Sequence, residues 1–335
     1  MAYPAGLDPM IFAEVPLAEA EGALLAHAVT VGARRIPKGT PVTPALLAEL
    51  STAGVSRLWI ARPEPCDVGE ADAAARLGAA LAGPGVAARP PVHGRTNLEA
   101  VHPGLLLMEG IEPANAAAEE VGIATLPPFS PVNAGDLVAS VKVIPFALPA
   151  AVLDRVLDFR PRLEVRPWRA GLKARILVTR LEGAESKGKD KAIDVTTARL
   201  AALGVAATVE AGIPHAPSPL ARALSRADEP LVLVAGATAT ADRRDVIPAA
   251  IEAAGGRVER VGMPVDPGNL LVLGRRGETM VIGLPGCARS PKRNGLDLVL
   301  ERWAAGLEVR SADVAGMGVG GLLEGSGAAV PWGWR

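Results

Sequence analysis

Two hydroxyls and two carboxylates stand between Thr238 and Asp245 in the stretch VAGATATADRRDVIPAA, which begins at Val234. Thr238 and Thr240 offer hydroxyls, and Asp242 and Asp245 offer carboxylates just before a helix. Gly236 lets the backbone pass close to a ligand, with Ala237 beside it. The apolar run before this loop reads as a strand and the run after it as a helix. The loop therefore falls where open α/β sheets bind ligands, at a strand's carboxyl end and beside helix N–H groups that favour an anion. The alternative is that Asp245 merely caps the helix and Gly236 merely turns the chain.

A second candidate is IGLPGCARSPKRNG from Ile282. A strand ends at Pro285 and Gly286 and leads into Arg289, Ser290, Lys292, Arg293 and Asn294 at the start of the last helix. Guanidinium and amide donors there suit a phosphate or a pterin-like heterocycle. Cys287 lies beside this positive charge, which would lower its pKa and favour a nucleophile, but no histidine is near it in sequence. GAESKGKD, from Gly183, nearly matches the G-x-x-x-x-G-K-[ST] phosphate loop, with Asp190 where a hydroxyl should hold magnesium. A charged loop over the site, with Lys187, Lys189 and Lys191 reaching an anion, fits better than an ATPase. In PVDPGNLLVLG, Asn269 either bonds a ligand or serves the turn.

The elements that must position these residues alternate. ARILVT from Ala174 predicts a strand, and Asp194 is expected to start the helix VTTARLAALG, with Gly204 ending it. VAATVEAGI then reads as a strand, 217–227 as a helix, PLVLVAG as a buried strand and 245–254 as a helix. GRVERVGM, LLVLG and TMVIGLPG are further strands. Leu296, Val299, Leu300 and Trp303 form the apolar stripe of the last helix. Such alternation predicts an α/β domain with a mostly parallel sheet. Upstream, helices over 44–53 and 69–81, a strand over 55–61 and the alternating GDLVASVKVIPFALP predict an α+β, β-rich region. The cation- and proline-rich FRPRLEVRPWRAGLK is expected to link the halves, and GSGAAVPWGWR to be loose.

Composition narrows the function classes. Among 335 residues, 49% are apolar, 3% aromatic and the formal net charge is −1, which excludes a disordered chain. No apolar run reaches the roughly 18 residues of a membrane span and no signal peptide is visible, so a cytoplasmic protein is expected. Two distant cysteines and four scattered histidines give neither a disulfide framework nor a zinc site. Residues 1–150 carry 9 Lys and Arg against 15 Asp and Glu, whereas the remainder carries 26 against 21. The modest positive excess, without stacking aromatics, fits a small phosphate-bearing ligand rather than nucleic acid.

With these motifs in order, the chain resembles the molybdopterin-binding domain superfamily, which includes molybdopterin adenylyltransferases and molybdotransferases. Gly236 to Asp245 takes the place of its Gly-Gly-Thr-Gly loop and downstream Arg-Asp-Val, here Arg244-Asp245-Val246. Ile193-Asp194 resembles its Asp-Ser-Asn segment, Pro267-Gly268-Asn269 its Pro-Gly-Lys turn, and Leu284-Pro285-Gly286 its Leu-Pro-Gly-Asn-Pro. GMPVDPGNLLVLG, GLPGCARSPKRNGLDLVLERWAAGL and MGVGGLL are similar to the molybdopterin-binding portion of bacterial fusions with a nucleotidyltransferase domain.

The resemblance implies a three-layer α/β molybdopterin-binding domain over 174–310. An α+β segment over 1–65, a mixed α/β subdomain over 66–158 and a linker over 159–173 precede it, and a tail over 311–335 follows. It implies molybdopterin or Mo-molybdopterin as ligand, a role in cofactor biosynthesis or delivery, and a homo-oligomer. The partner would be a molybdopterin nucleotidyltransferase or a molybdoenzyme. The implied contacts are Gly236, Ala237, Thr238, Thr240, Asp194, Lys187, Lys189, Asn269, Pro285, Gly286, Arg289, Ser290, Lys292 and Asn294, with Asp242 and Asp245 as catalytic, Mg-holding carboxylates. Asn269 stands in place of the lysine, and Ala237 and Ala239 in place of two glycines favour the alternative of a binding module without transfer chemistry.

Overall fold

The computed structural model describes residues 10–183 and 189–323, with the side chains of residues 189 and 190 outside the description. Two compact units divide the chain, Met1–Pro167 and Trp168–Arg335.

The first unit is built mainly of short antiparallel strands. Thr43 caps helix Pro44–Thr52 by accepting the Leu46 N–H at 3.3 Å, and Pro44 opens it with a fixed φ. Leu46 and Leu50 of that helix pack on Leu58 and Ile60 of the strand Arg57–Arg62. A second core gathers Ala73, Leu77 and Leu81 of helix Glu70–Leu81 against the four-stranded sheet containing Leu137–Val143. Arg162–Pro167, within the stretch expected to be a link, is a strand paired with Gly104–Glu109.

In the second unit we number the elements β1 (Lys173–Arg180), α1 (Lys189–Ala202), β2 (Ala206–Pro214), α2 (Pro217–Arg226), β3 (Leu231–Ala235), α3 (Val246–Ala253), β4 (Arg257–Val261), β5 (Val272–Arg276), β6 (Thr279–Gly283), α4 (Gly295–Ala304) and α5 (Ser311–Gly316). The sheet order is β2-β1-β3-β6-β5-β4. The first four strands are parallel neighbours, and β5 and β4 add antiparallel pairs at the far side.

Residue alternation makes three layers. Ile176, Leu231, Leu233 and Ile282 face one side, where Leu200 of α1 and Leu296, Val299, Leu300 and Trp303 of α4 cover them. Leu177, Val232, Val234 and Val281 face the other side, under Leu220 and Leu224 of α2 and Ile247 and Ile251 of α3. Strands covered on both faces read as unbroken apolar runs, as LVLVA in β3 does. The unit is thus α/β, with helices on both faces of a mostly parallel sheet.

Two local expectations change. α1 begins at Lys189, so Asp194 lies inside the helix and exposed rather than at its start. The Ala192, Thr196 and Leu200 row is buried, and continuing that face toward the sheet's end lengthens the helix beyond its expected cap. At the other end, residues 311–316 form α5, which buries Val314 while Met317 just beyond packs into the same core. The segment GSGAAVPWGWR lies outside the described residues.

Candidate functional site: a pocket at the carboxyl ends of three strands

Register places the ends of three strands side by side: Val178 of β1 pairs with Ala235 of β3, and Val234 with Gly283 of β6. The loops that leave these ends form a small pocket open to solvent, with a cavity volume of about 40 Å³. Gly236, Thr238 and Ala239 of one loop line it together with Leu284, Pro285, Gly286 and Arg289 of the other and Ala192 of α1. The two candidate loops, about 50 residues apart in the chain, meet here.

Gly236 is fixed by crowding. A Cβ on it would stand 2.8 Å from the Thr238 carbonyl oxygen and 3.1 Å from Ile247 Cδ1. Beyond it the loop is held from beneath by Thr179, which is fully buried at the end of β1. The Ala237 N–H donates to Thr179 Oγ1 at 2.9 Å, so this amide points inward, away from the pocket. Thr179 Oγ1 also lies 2.8 Å from His215 Nδ1, and His215 Nε2 lies 2.9 Å from Thr238 Oγ1. A buried threonine, a half-buried imidazole and an exposed threonine thus form one chain of hydrogen bonds ending at the pocket wall. Thr240 is buried behind it.

The two carboxylates have local partners. Arg244 engages both oxygens of Asp242, through Nε at 2.7 Å and Nη2 at 3.3 Å, and its N–H donates to Oδ1 as well. That guanidinium hydrogen bond holds the Asp242 carboxyl below its ordinary value. Asp245 is the N-cap of α3: Oδ1 accepts the Val246 N–H at 2.7 Å and Oδ2 the Ala241 N–H at 3.2 Å. All four carboxylate oxygens therefore accept hydrogen bonds from the chain itself. Among the described residues no three His, Cys, Asp or Glu side chains converge as metal ligands. Asp242 thus braces its loop and Asp245 caps a helix.

The N-terminus of α4 is closed in the same way. Asn294, almost fully buried, accepts the Leu296 N–H, and Asp297 accepts the Asn294 N–H at 2.7 Å, forming a capping box. Of the helix amides expected to attract an anion, that of Val246 in α3 is met by Asp245 and that of Leu296 in α4 by Asn294.

Arg199 of α1 positions the second loop. Its guanidinium donates to the carbonyls of Ala288 (2.8 Å), Ser290 (2.6 Å) and Lys292 (2.8 Å), and to Asp297 Oδ1 at 2.8 Å. Its side chain is 8% exposed, so these bonds form largely away from water, where each counts for more. Pinned in this way, the 3₁₀ turn Gly286–Arg289 presents Arg289 along the pocket. Arg293 turns away to the buried Glu301. Cys287 does not have the lowered pKa expected of it: burial pushes its thiol up, and the nearby Arg199 charge does not compensate.

The pocket therefore brings together Gly236, Thr238, Pro285, Gly286 and Arg289, with Ala237 directly behind. Ser290 and Lys292 follow on the braced loop, where Ser290 Oγ accepts the Lys292 N–H at 3.3 Å. Asn269 is exposed on the turn beside Met263 and is not among the lining residues. Lys187 lies outside the described residues, as does the side chain of Lys189. Sequence reading passed over Thr179, His215 and Arg199. The signal for the first two was available, since each ends, or directly follows, a parallel strand. Arg199 gave none, because its partners lie 89 to 98 residues away.

No protein-family model matches the chain, and no curated protein matches it. Among solved structures, a crystal structure of a molybdopterin biosynthesis MoeA protein from Pyrococcus horikosii matches 89% of this chain and 76% of its own, at 13% identity and a TM-score of 0.31. Among the described residues no helix is long and apolar enough to cross a membrane.

Proposed function

We propose that this chain binds molybdopterin or Mo-molybdopterin through its phosphate, in the pocket at the ends of β1, β3 and β6. The supporting observation is the meeting of the Gly236–Thr240 and Leu284–Arg289 loops around one opening. These two segments carry the motif resemblance, and both the Thr238 hydroxyl and the Arg289 guanidinium belong to residues that line the opening. Phosphate oxygens are acceptors only, so a hydroxyl and a planar cationic donor suit them. The chain acts in cofactor biosynthesis or delivery, holding the pterin phosphate for a separate nucleotidyltransferase or a molybdoenzyme.

A specific observation favours holding over transfer. Adenylyl or molybdate transfer needs carboxylates that take a metal, and both Asp242 and Asp245 are engaged by the chain's own donors. The test is anaerobic titration of the full chain with molybdopterin and Mo-molybdopterin, followed by assays of nucleotide and molybdate transfer. Saturable binding without turnover is expected. Turnover that disappears in Asp245→Asn with binding intact would establish transfer instead.

A further inference from the structure

The two edges of the sheet in the second unit are finished differently. β4, at one edge, carries Arg257, Glu259 and Arg260 within five residues, and charges of this kind keep an edge from pairing with another chain. β2, at the other edge, has one charged residue in nine, Glu210, and Arg226 at 2.8 Å and Arg175 at 3.6 Å already meet that carboxylate. Val209 beside it is 45% exposed. The Ala206 N–H donates to the Leu172 carbonyl just before β1, which fixes the alternation of the parallel ladder. Ala206, Thr208 and Glu210 turn their amides and carbonyls toward β1, so Ala207, Val209 and Ala211 turn theirs outward. Among the described residues none of these six outward groups has a backbone partner. The regular stretch ends at Gly212, an extra residue with φ +88° between the pairs Val178 with Ala211 and Thr179 with Ile213.

We propose that β2 is a dimer interface, where two copies of this chain pair edge to edge, antiparallel, across a two-fold axis at Val209. A two-fold interface must be self-complementary, and this edge is. With Val209 opposite the partner's Val209, Ala207 meets the partner's Ala211 and Ala211 the partner's Ala207, so all six outward groups are bonded. Thr208 then lies opposite the partner's Glu210. Arg175, directly paired with Thr208 in the neighbouring strand, brings a positive charge to that carboxylate. Other registers are worse. A slip of one residue sets outward groups against inward ones. Setting Val209 against the partner's Ala211 puts Glu210 against the partner's Glu210, where like charges repel. Setting Val209 against the partner's Ala207 puts Ala211 against the partner's Val205, a residue whose N–H is already taken by the Leu200 carbonyl.

Sedimentation of the full chain over a range of concentrations tests this. Twice the mass of one chain is expected as concentration rises. Val209→Pro removes only an outward N–H, leaves the ladder to β1 whole and suits an edge strand. It should hold the protein at the mass of a single chain while its circular dichroism stays that of the parent. A parent chain that is single at every concentration overturns the proposal. So does a dimer of unchanged strength in folded Val209→Pro, which would put the interface elsewhere. Amide exchange in the unmutated protein is independent of whether the variant folds. Exchange at Ala207, Val209 and Ala211 should slow about tenfold once the concentration exceeds the dissociation constant about a hundredfold, with Thr208 and Glu210 slow throughout. Equal rates for the three outward amides in dilute and concentrated protein overturn the edge pairing.

Discussion

Arg199 and Asp297 are 98 residues apart in the chain and 2.8 Å apart in the fold. The contact ties α1 to the capping box of α4, and the same guanidinium holds three carbonyls of the intervening loop. The wall of the pocket that carries Arg289 is thus suspended from α1. Arg199→Lys cannot reproduce this fork of donors. We expect faster amide hydrogen exchange over residues 286–292 and about 1–3 kcal/mol lower stability, the cost of leaving buried acceptors unmet. Unchanged exchange in that segment would count against the brace.

Asp245 should behave as a cap. Asp245→Ala is expected to lower unfolding stability by about 1 kcal/mol, measured by urea denaturation, with ligand binding retained. Asp242→Asn, whose ion pair with Arg244 is largely exposed, should leave stability almost unchanged. Unchanged stability in Asp245→Ala would argue against capping.

Cys287 should be a slow thiol. Burial raises its pKa above the ordinary 9.0, so little thiolate exists near neutral pH. Iodoacetamide at pH 7.5 should modify the exposed Cys66 first, with Cys287 reacting appreciably only at more alkaline pH. Mass spectrometry of the labelled protein gives the order, and prior labelling of Cys287 would contradict it.

Acid should weaken the opposite end of the sheet. Burial pushes the Glu229 carboxyl up, but the hydrogen bonds from Arg175 Nε and Nη2 bring it below its ordinary value of 4.5. A carboxylate whose folded pKa is depressed stabilises the fold fully above its unfolded pKa and loses that contribution as pH falls through the folded value. Glu229→Gln should therefore be less stable than the parent by about 1 kcal/mol at pH 7, with the gap closing below about pH 4. A gap that persists at low pH would show that the pair's charge is not its source.

Periodicity made the layers of the second unit legible. The 3.6-residue stripe Leu296, Val299, Leu300 and Trp303 is buried as expected, and Asp245 and Gly204 end helices as their types predict. The strand-end rule brought both candidate loops to one place. What stayed hidden depends on long-range contacts. His215 bonds to residues 36 and 23 positions away, and only its place directly after a parallel strand marks it among the scattered histidines. The amides of α3 and α4 looked available because a cap and a ligand call for the same residue types. Only the hydrogen bonds of Asp245, Asn294 and Asp297 show which of the two they serve.

The most direct measurement is the affinity of the full chain for molybdopterin compared with its dephosphorylated form, by anaerobic calorimetry. The phosphate-bearing ligand is expected to bind at micromolar concentration or below and to lose at least about tenfold when the phosphate is removed. Equal affinity for the two forms, or no binding of either, would contradict a phosphate site between Thr238 and Arg289.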